Sequence, residues 1–456
     1  MPKTIFIPIF TQAESTNLLL SEMLTILKNT PNLKIIIFTK EKKVDFYRER
    51  FGAPNVLIEP MTDLEHDRGR FRQLLTTAAF NSIPTRTIWM RQNRIVVLNP
   101  TISNLVGLPF KKLCWILGHT RVWREFLRSL EPLFHEDTIW DEAFAKYKPD
   151  LVFATNMIHG TSIALIKAAK RRETRTIGMT KSWDNFTSKT LLRMKPDHLI
   201  VNNPLIKREA RAIGDMPEKK VTVVGLPQYD KYMKPEWHLT REEFFKRFGL
   251  HPDKKLLVYF MGGPLAIHDP RDHVKMISEA IERGDLPPST LFVRSHPKYD
   301  VNIDDLKLLP HVKIHIPGEE LQGFKGDREF DEDDVKVLIS TLYHADVTLN
   351  TGSTMTIEAT IFDKPIILIG FDGYTKKPHY ESIDHTMDIT HYRYLVESGA
   401  TARVVNEHEL VEAIKTYLKT PAENHEGRKR LFDEQVWKTD GNSGKRIAGV
   451  LLNSLT

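Results

Sequence analysis

The chain has 456 residues, room for two or three domains, and its 41% hydrophobic and 27% charged residues are those of an ordinary globular protein. A net charge of +6 and a pI near 9.0 leave three readings of its basic character: nucleic acid, an anionic membrane face, or solvated helix surfaces. One cysteine, Cys114, excludes a disulfide framework and a cysteine-rich metal site, and no apolar run reaches the roughly 20 residues of a membrane-spanning helix.

The opening MPKTIFIPIF reads as a first strand, Thr4–Phe10, because one Lys before a short apolar run without a small-residue cleavage site is not a signal peptide. Further strands are expected at Lys34–Thr39, Val56–Glu59, Asp150–Thr155, Arg175–Thr180, His198–Asn202 and Lys220–Val224. Helical patterns at Thr16–Lys28, Asp63–Phe80, Arg121–Leu133 and Gly160–Arg172 lie between them. A short polar helix and the turn residues of 228–252 then interrupt the series. The alternation restarts with strands at Lys255–Met261, Thr290–Arg294, Val312–Ile316, Asp346–Leu349, Pro365–Ile369 and Ala402–Val405, and helices at His268–Arg283, Asp333–His344, Glu407–Lys419 and Asn424–Trp437. Two successive βα series predict an α/β protein of two doubly wound domains, 1–238 and 239–438, with a final helix in 439–456. Ligands of such domains bind beyond the carboxyl ends of the strands.

Five polar clusters fall at those ends. The first, Thr11–Asn17, lacks GxGxxG, so no dinucleotide cofactor is expected; Glu14 in it reads either as a general base or as an acid of the first helical turn. The second, Ser182–Lys189 (SWDNFTSK), joins a stacking Trp183, an Asp184, an Asn185 and a Lys189 in one loop. The third is Arg294-Ser295-His296-Pro297, where Arg294 and His296 are suited to a phosphate or a developing negative charge. The fourth, Val223–Asp230, is a strand running into a Gly/Pro turn, which hinge packing explains. In the fifth, Asn350–Ala359 (NTGSTMTIEA), Gly352 lets the backbone approach a ligand. Ser353 and Thr354 offer hydroxyls at a helix start, and Glu358 is placed to accept hydrogen bonds from a ribose; the competing reading is a plain helix cap.

In this order the clusters, with Pro196–Asn203, resemble the GT-B superfamily of nucleotide-sugar glycosyltransferases, and within it the CDP-glycerol glycerophosphotransferase-like and surface-polysaccharide branch. The resemblance covers about residues 140–450. It implies two Rossmann-like domains facing a central cleft, with the final helix packed back on the first domain. It also implies a donor site of Arg294, His296, Gly352, Ser353, Thr354 and Glu358, and no metal or other cofactor. Trp183, Asn185 and Lys189 would then serve the acceptor side. The general base is left open among Asp184, Glu14 and His159. Two departures stand out: Ser295 replaces the apolar residue or Pro usual in R-x-H-P, and the 352–354 turn lacks a second glycine.

Three functions remain. A metal-independent glycosyltransferase would move a sugar from a nucleotide-diphosphate donor to a glycan or lipid-linked acceptor of the cell surface. A CDP-glycerol-type glycerophosphotransferase would form a phosphodiester instead. A non-catalytic GT-B-like protein would bind nucleotide or glycan only, and a non-hydrolysing nucleotide-sugar epimerase is a lesser enzyme alternative. The basic patches Lys167–Arg172 and Lys207–Arg211 carry no aromatic interleaving, so nucleic acid is not expected. Solvated helix faces are the first reading and peripheral contact with the inner face of the cell membrane the second, in a cytoplasmic protein. The acidic run Asp327–Asp334 reads as first-turn helix acids, not a metal site, and His119, His135 and His391 as surface or packing residues.

Overall fold

Strand-sized runs that are apolar at nearly every position have to be covered on both faces, which is what a parallel sheet between helix layers provides. The computed structural model describes residues 2–64, 69–134, 136–262, 269–296, 303–320, 328–329 and 331–456. The chain forms two units, residues 1–230 with 440–456, and residues 231–439.

The first unit holds β1 (Lys3–Pro8), β2 (Leu33–Thr39), β3 (Val56–Pro60), β4 (Leu151–Ala154), β5 (Arg175–Met179), β6 (His198–Val201) and β7 (Val221–Val223). Their order is β3-β2-β1-β4-β5-β6-β7, and every pair is parallel. Alternate residues serve opposite faces. Phe6, Phe38 and Val152 pack with Trp140 on one side, and Ile5, Ile7 and Phe153 pack with Ile447 and Leu451 on the other. The last helix, Ser443–Asn453, therefore completes the core under the first strand. Asp230 holds its start, accepting from the N–H groups of Ser443 and Gly444 at 3.0 Å each. A Cβ at Gly444 would sit 3.0 Å from the backbone nitrogen of Met23, so the two helices touch through glycine.

The second unit holds β8 (Lys255–Phe260), β9 (Ser289–Arg294), β10 (Val312–His315), a two-residue antiparallel pair β11 (Glu319–Glu320) and β12 (Arg328–Glu329), then β13 (Val347–Asn350), β14 (Ile366–Ile369) and β15 (Ala402–Val404). Its main sheet has the order β10-β9-β8-β13-β14-β15, again parallel throughout. Both sheets reverse direction beside their first strand, between β1 and β4 and between β8 and β13. These crevices are the topological switch points at which doubly wound folds bind ligands.

The helices differ from expectation in places with local causes. The Thr16–Lys28 pattern is broken at Leu20–Ser21, where the Ser21 hydroxyl caps a second piece, Glu22–Lys28. In the Asp63–Phe80 pattern Asp63 and Leu64 are not helical, because Thr161 binds the Asp63 carboxylate at 2.9 Å and the Leu64 N–H at 2.7 Å, and a helix runs over Arg70–Asn81. Two further helices, Arg86–Leu98 and Ile102–Gly118, lie between β3 and β4. Asp331 caps the helix Glu332–His344 and Asp334 closes the capping box, so this part of the acidic run is a helix start. His119 is exposed and His391 buried; His135 lies outside the described residues.

Candidate functional site

In the second unit, β9 ends at Arg294 and its neighbour β10 ends at His315, directly opposite in register. The Arg294 side chain is buried and donates from Nη1 to His315 Nδ1 at 2.8 Å. Burial pushes the guanidinium down to about 10. Burial and the charges of Arg294 and Arg247 push His315 down to about 3, so its ring is a neutral acceptor. Glu358 is also buried and accepts from the Tyr232 hydroxyl. Burial pushes its carboxyl up to about 7, against the opposing effects of Tyr232 and the Arg294 charge.

The turn after β13 is tightly specified. Gly352 has φ +97°, a Cβ there would meet the Tyr392 ring at 2.5 Å, and the Tyr392 hydroxyl donates to the Gly352 carbonyl at 2.7 Å. Only glycine fits. Asn350 Oδ1 accepts from the Gly352 N–H at 2.8 Å and from the Thr356 hydroxyl at 2.9 Å. Ser353 is the helix cap, accepting from the Met355 N–H at 3.1 Å, whereas Thr354 is exposed and His296 half-buried. Arg294 and Glu358 thus share one charge network, and Gly352 and Ser353 form the switch-point turn. Pro297, the last residue of the RSHP motif, lies outside the described residues.

In the first unit Glu14 is buried at the β1/β4 switch point. Its carboxylate accepts from the N–H groups of Phe10 at 2.8 Å and Thr11 at 3.0 Å, and from the Asn156 amide at 2.8 Å. These bonds tie the loop after β1 to the loop after β4. Asp184 accepts from the hydroxyls of Ser182 at 2.6 Å and Ser188 at 2.8 Å and pairs with Lys189 at 2.7 Å. Asn185 is fully buried beneath it and accepts from the Ser182 N–H at 3.0 Å, with Trp183 half-buried. The loop's polar groups are largely spent on one another.

His159 stands elsewhere. It immediately precedes the helix Gly160–Arg171 after β4, without a capping bond from its side chain, and lines a cavity of about 450 Å³ with Thr11, Lys40, Asp63, Thr76 and Arg193. Its Nδ1 is 3.8 Å from Asp63 Oδ1, and Lys40 reaches the other Asp63 oxygen at 3.1 Å. Burial raises the Asp63 pKa, but the interactions with His159, Lys40 and Thr161 outweigh it and hold the carboxyl at about 2. An imidazole beside a fixed carboxylate, with Lys40 and Arg193 on the same walls, can accept a proton next to a bound anion. Lys40 and Asp63 follow the ends of β2 and β3 but sit outside any polar cluster, so sequence reading missed them.

A family model, described as CDP-glycerol:poly(glycerophosphate) glycerophosphotransferase, matches residues 138–453, well over half of the chain. The chain belongs to this family. The match includes His159, the Ser182–Lys189 loop, Arg294 and the Gly352–Glu358 turn. None of the curated proteins matches the chain in sequence. Among solved structures, UDP-GlcNAc 2-epimerase from Neisseria meningitidis bound to UDP-GlcNAc is similar at 13% identity, over 99% of this chain and 100% of that chain, with a TM-score of 0.56. The Methanocaldococcus jannaschii UDP-GlcNAc 2-epimerase is similar at 16% identity over 99% of each chain, TM-score 0.53. A glycosyltransferase from Rickettsia africae is similar at 12% over 99% of each, TM-score 0.52. At such identities these likenesses establish the fold: two Rossmann-like units of the GT-B class, common to the family and these enzymes.

Proposed function

We propose that this glycerophosphotransferase-family chain is a transferase acting on a nucleoside-diphosphate-activated donor, and that the group moved is a phosphoalcohol from a CDP-linked donor to a hydroxyl of a surface polymer or lipid-linked glycan. The observation that carries the reading is the family match across the loops that follow β4, β5, β9 and β13. In the proposed reaction the acceptor oxygen attacks the β-phosphorus, the phosphoanhydride bond breaks, CMP leaves, and the acceptor proton passes to His159. Asp63, 3.8 Å from that imidazole, is proposed to position it. Arg294 and the Gly352–Ser353 turn are proposed to hold the donor phosphates, as positioned charge and N–H groups do where negative charge develops. Asp184, saturated by its own loop, is proposed to shape the site instead of acting as base.

Sugar transfer from a nucleotide-diphosphate sugar is the second reading, favoured by the fold shared with the Rickettsia africae glycosyltransferase. Product analysis separates the two. CMP released from CDP-glycerol in the presence of acceptor supports phosphoalcohol transfer; release of a nucleoside diphosphate from a nucleotide sugar, with CDP-glycerol inert, replaces it by glycosyl transfer. Binding of the nucleotides without either product would leave a non-catalytic binding protein.

A further inference from the structure

The second unit carries a cavity that the proposed reaction does not use. Its volume is about 670 Å³, inside the range of about 300–1,000 Å³ usual for small-molecule sites. Topology sets its place. His344 comes just before β13 and Phe362 just before β14, so both stand at the amino ends of the parallel strands. Arg294 and the Gly352 turn stand at the carboxyl ends. With Tyr343, residues 232–241 complete the lining. Tyr232 is the wall toward the candidate donor site, its ring lining the cavity and its hydroxyl donating to Glu358.

The cavity is built in advance of any ligand. The Leu239 N–H donates to the Ser340 hydroxyl at 2.8 Å, His344 donates from Nε2 to the Leu239 carbonyl at 2.8 Å, and His238 from Nε2 to the Tyr232 carbonyl at 2.7 Å. Its rings brace one another. Tyr232 is stacked on Phe362 at 5.8 Å, and His238 and Tyr343 stand edge-on to Phe362 at 5.7 and 5.3 Å, with Tyr343 exposed.

The charge here has one sign. No Asp or Glu lines the cavity, and Glu243, three residues past Thr240, is turned to the Thr240 N–H at 2.8 Å. Arg241 lies in the lining, bonded to the His344 carbonyl at 3.4 Å and resting on the Phe245 ring at 4.1 Å. Lys364 Nζ is 5.8 Å from the centre of the Tyr343 ring. Among the described residues neither cation has an ion-pair partner. Burial lowers the Lys364 pKa in spite of the Asp346 charge, and the charges of Arg241 and Lys364 add to burial in lowering that of His344. A half-buried ammonium and a guanidinium without a carboxylate suit an anion.

We infer that this cavity binds a nucleoside monophosphate, its base against the aromatic rings and its phosphate at Arg241 and Lys364. Aromatic faces stack on any base, and this class joins a flat ring to a phosphate dianion. The two like charges disfavour a cationic ligand.

The test is isothermal titration of the full chain with AMP and with ribose 5-phosphate, which has the phosphate but no base. AMP is expected to bind at least tenfold more tightly than ribose 5-phosphate, and saturating CDP-glycerol should not displace it. The double variant Arg241→Gln, Tyr343→Ala changes two exposed side chains and should weaken AMP at least tenfold. Photolabelling of the wild type with 8-azido-AMP gives a second reading that does not depend on how the variant folds; the label should map to residues 232–241 or 343–364. Absence of AMP binding overturns the inference, as does equal binding of ribose 5-phosphate. So does displacement of AMP by CDP-glycerol, unchanged affinity in the double variant, or a label confined to other peptides.

Discussion

At the residue scale, burial sets the chemistry of Glu358. Glu358 ionises in the folded protein only near pH 7, whereas the unfolded carboxyl ionises near 4.5. A raised carboxyl pKa means that stability is greatest below the unfolded value, declines as pH rises between about 4.5 and 7, and is level beyond. Glu358→Gln keeps an acceptor for Tyr232 and removes that decline. Its stability should match wild type near pH 4.5 and exceed it at pH 8 by on the order of 2–3 kcal/mol, less whatever Arg294 loses with the charge. Denaturant titrations at the two pH values check this, and an equal offset at both would mean that Glu358 is not the titrating group. For His159, replacement by Gln should cut turnover by about 10²-fold or more with nucleotide affinity unchanged, the usual contribution of a positioned base. Asp184→Asn should leave turnover within a few-fold. The reverse order of effects would return the role to Asp184, and loss only in Glu14→Gln would move it to Glu14.

At the element scale, the helix Arg121–Leu130 is held to the first unit by buried charge. Arg124 grips Asp215 with two nitrogens at 2.8 and 2.6 Å, and Arg128 reaches the same carboxylate at 2.7 Å, with all three side chains buried. Asp215→Ala strands two guanidiniums in a dry site and should cost about 3–5 kcal/mol, read as a lower denaturation midpoint. A loss under 1 kcal/mol would mean that the helix repacks or that water enters. Elements of this kind divide what was legible in the sequence from what was not. All thirteen strands of the two large sheets stand out in the sequence because each is a short apolar run between turn residues, as in Leu33–Thr39 and Ile366–Ile369. Ile102–Gly118 is hidden because its apolar residues occupy both faces, with Gly107 and Pro109 inside it, so no polar side marks the period. The switch-point turn at Gly352 is readable from its glycine, but the Asp63–His159 pair is not. Its members lie far apart in sequence, and the pairing exists only once β3 and β4 have taken their places in the sheet.

At the scale of the whole molecule, the chain closes its first unit with its last helix. Ile447 and Leu451 are fully buried in the cluster that contains Ile5, Ile7 and Ile35, so the C-terminal helix shares with Met23, Leu27 and Tyr47 the cover of one face of β1 and β2. Burying a side chain of this size is worth roughly 1.5–3 kcal/mol, and forcing a charge into the same position costs several more. Ile447→Asp should therefore destabilise the first unit by at least about 3 kcal/mol, although the substituted residue lies at the far end of the sequence. Hydrogen exchange reads this directly. Amides of Lys3–Pro8 and Leu33–Thr39 should lose protection together with those of Ser443–Asn453. The strand Lys255–Phe260, whose core of Leu257, Tyr259 and Leu291 contains none of these residues, should keep its own. Loss of protection confined to the final helix would show that the seven-stranded sheet holds without it, and that the helix is an accessory to this unit and not part of its core.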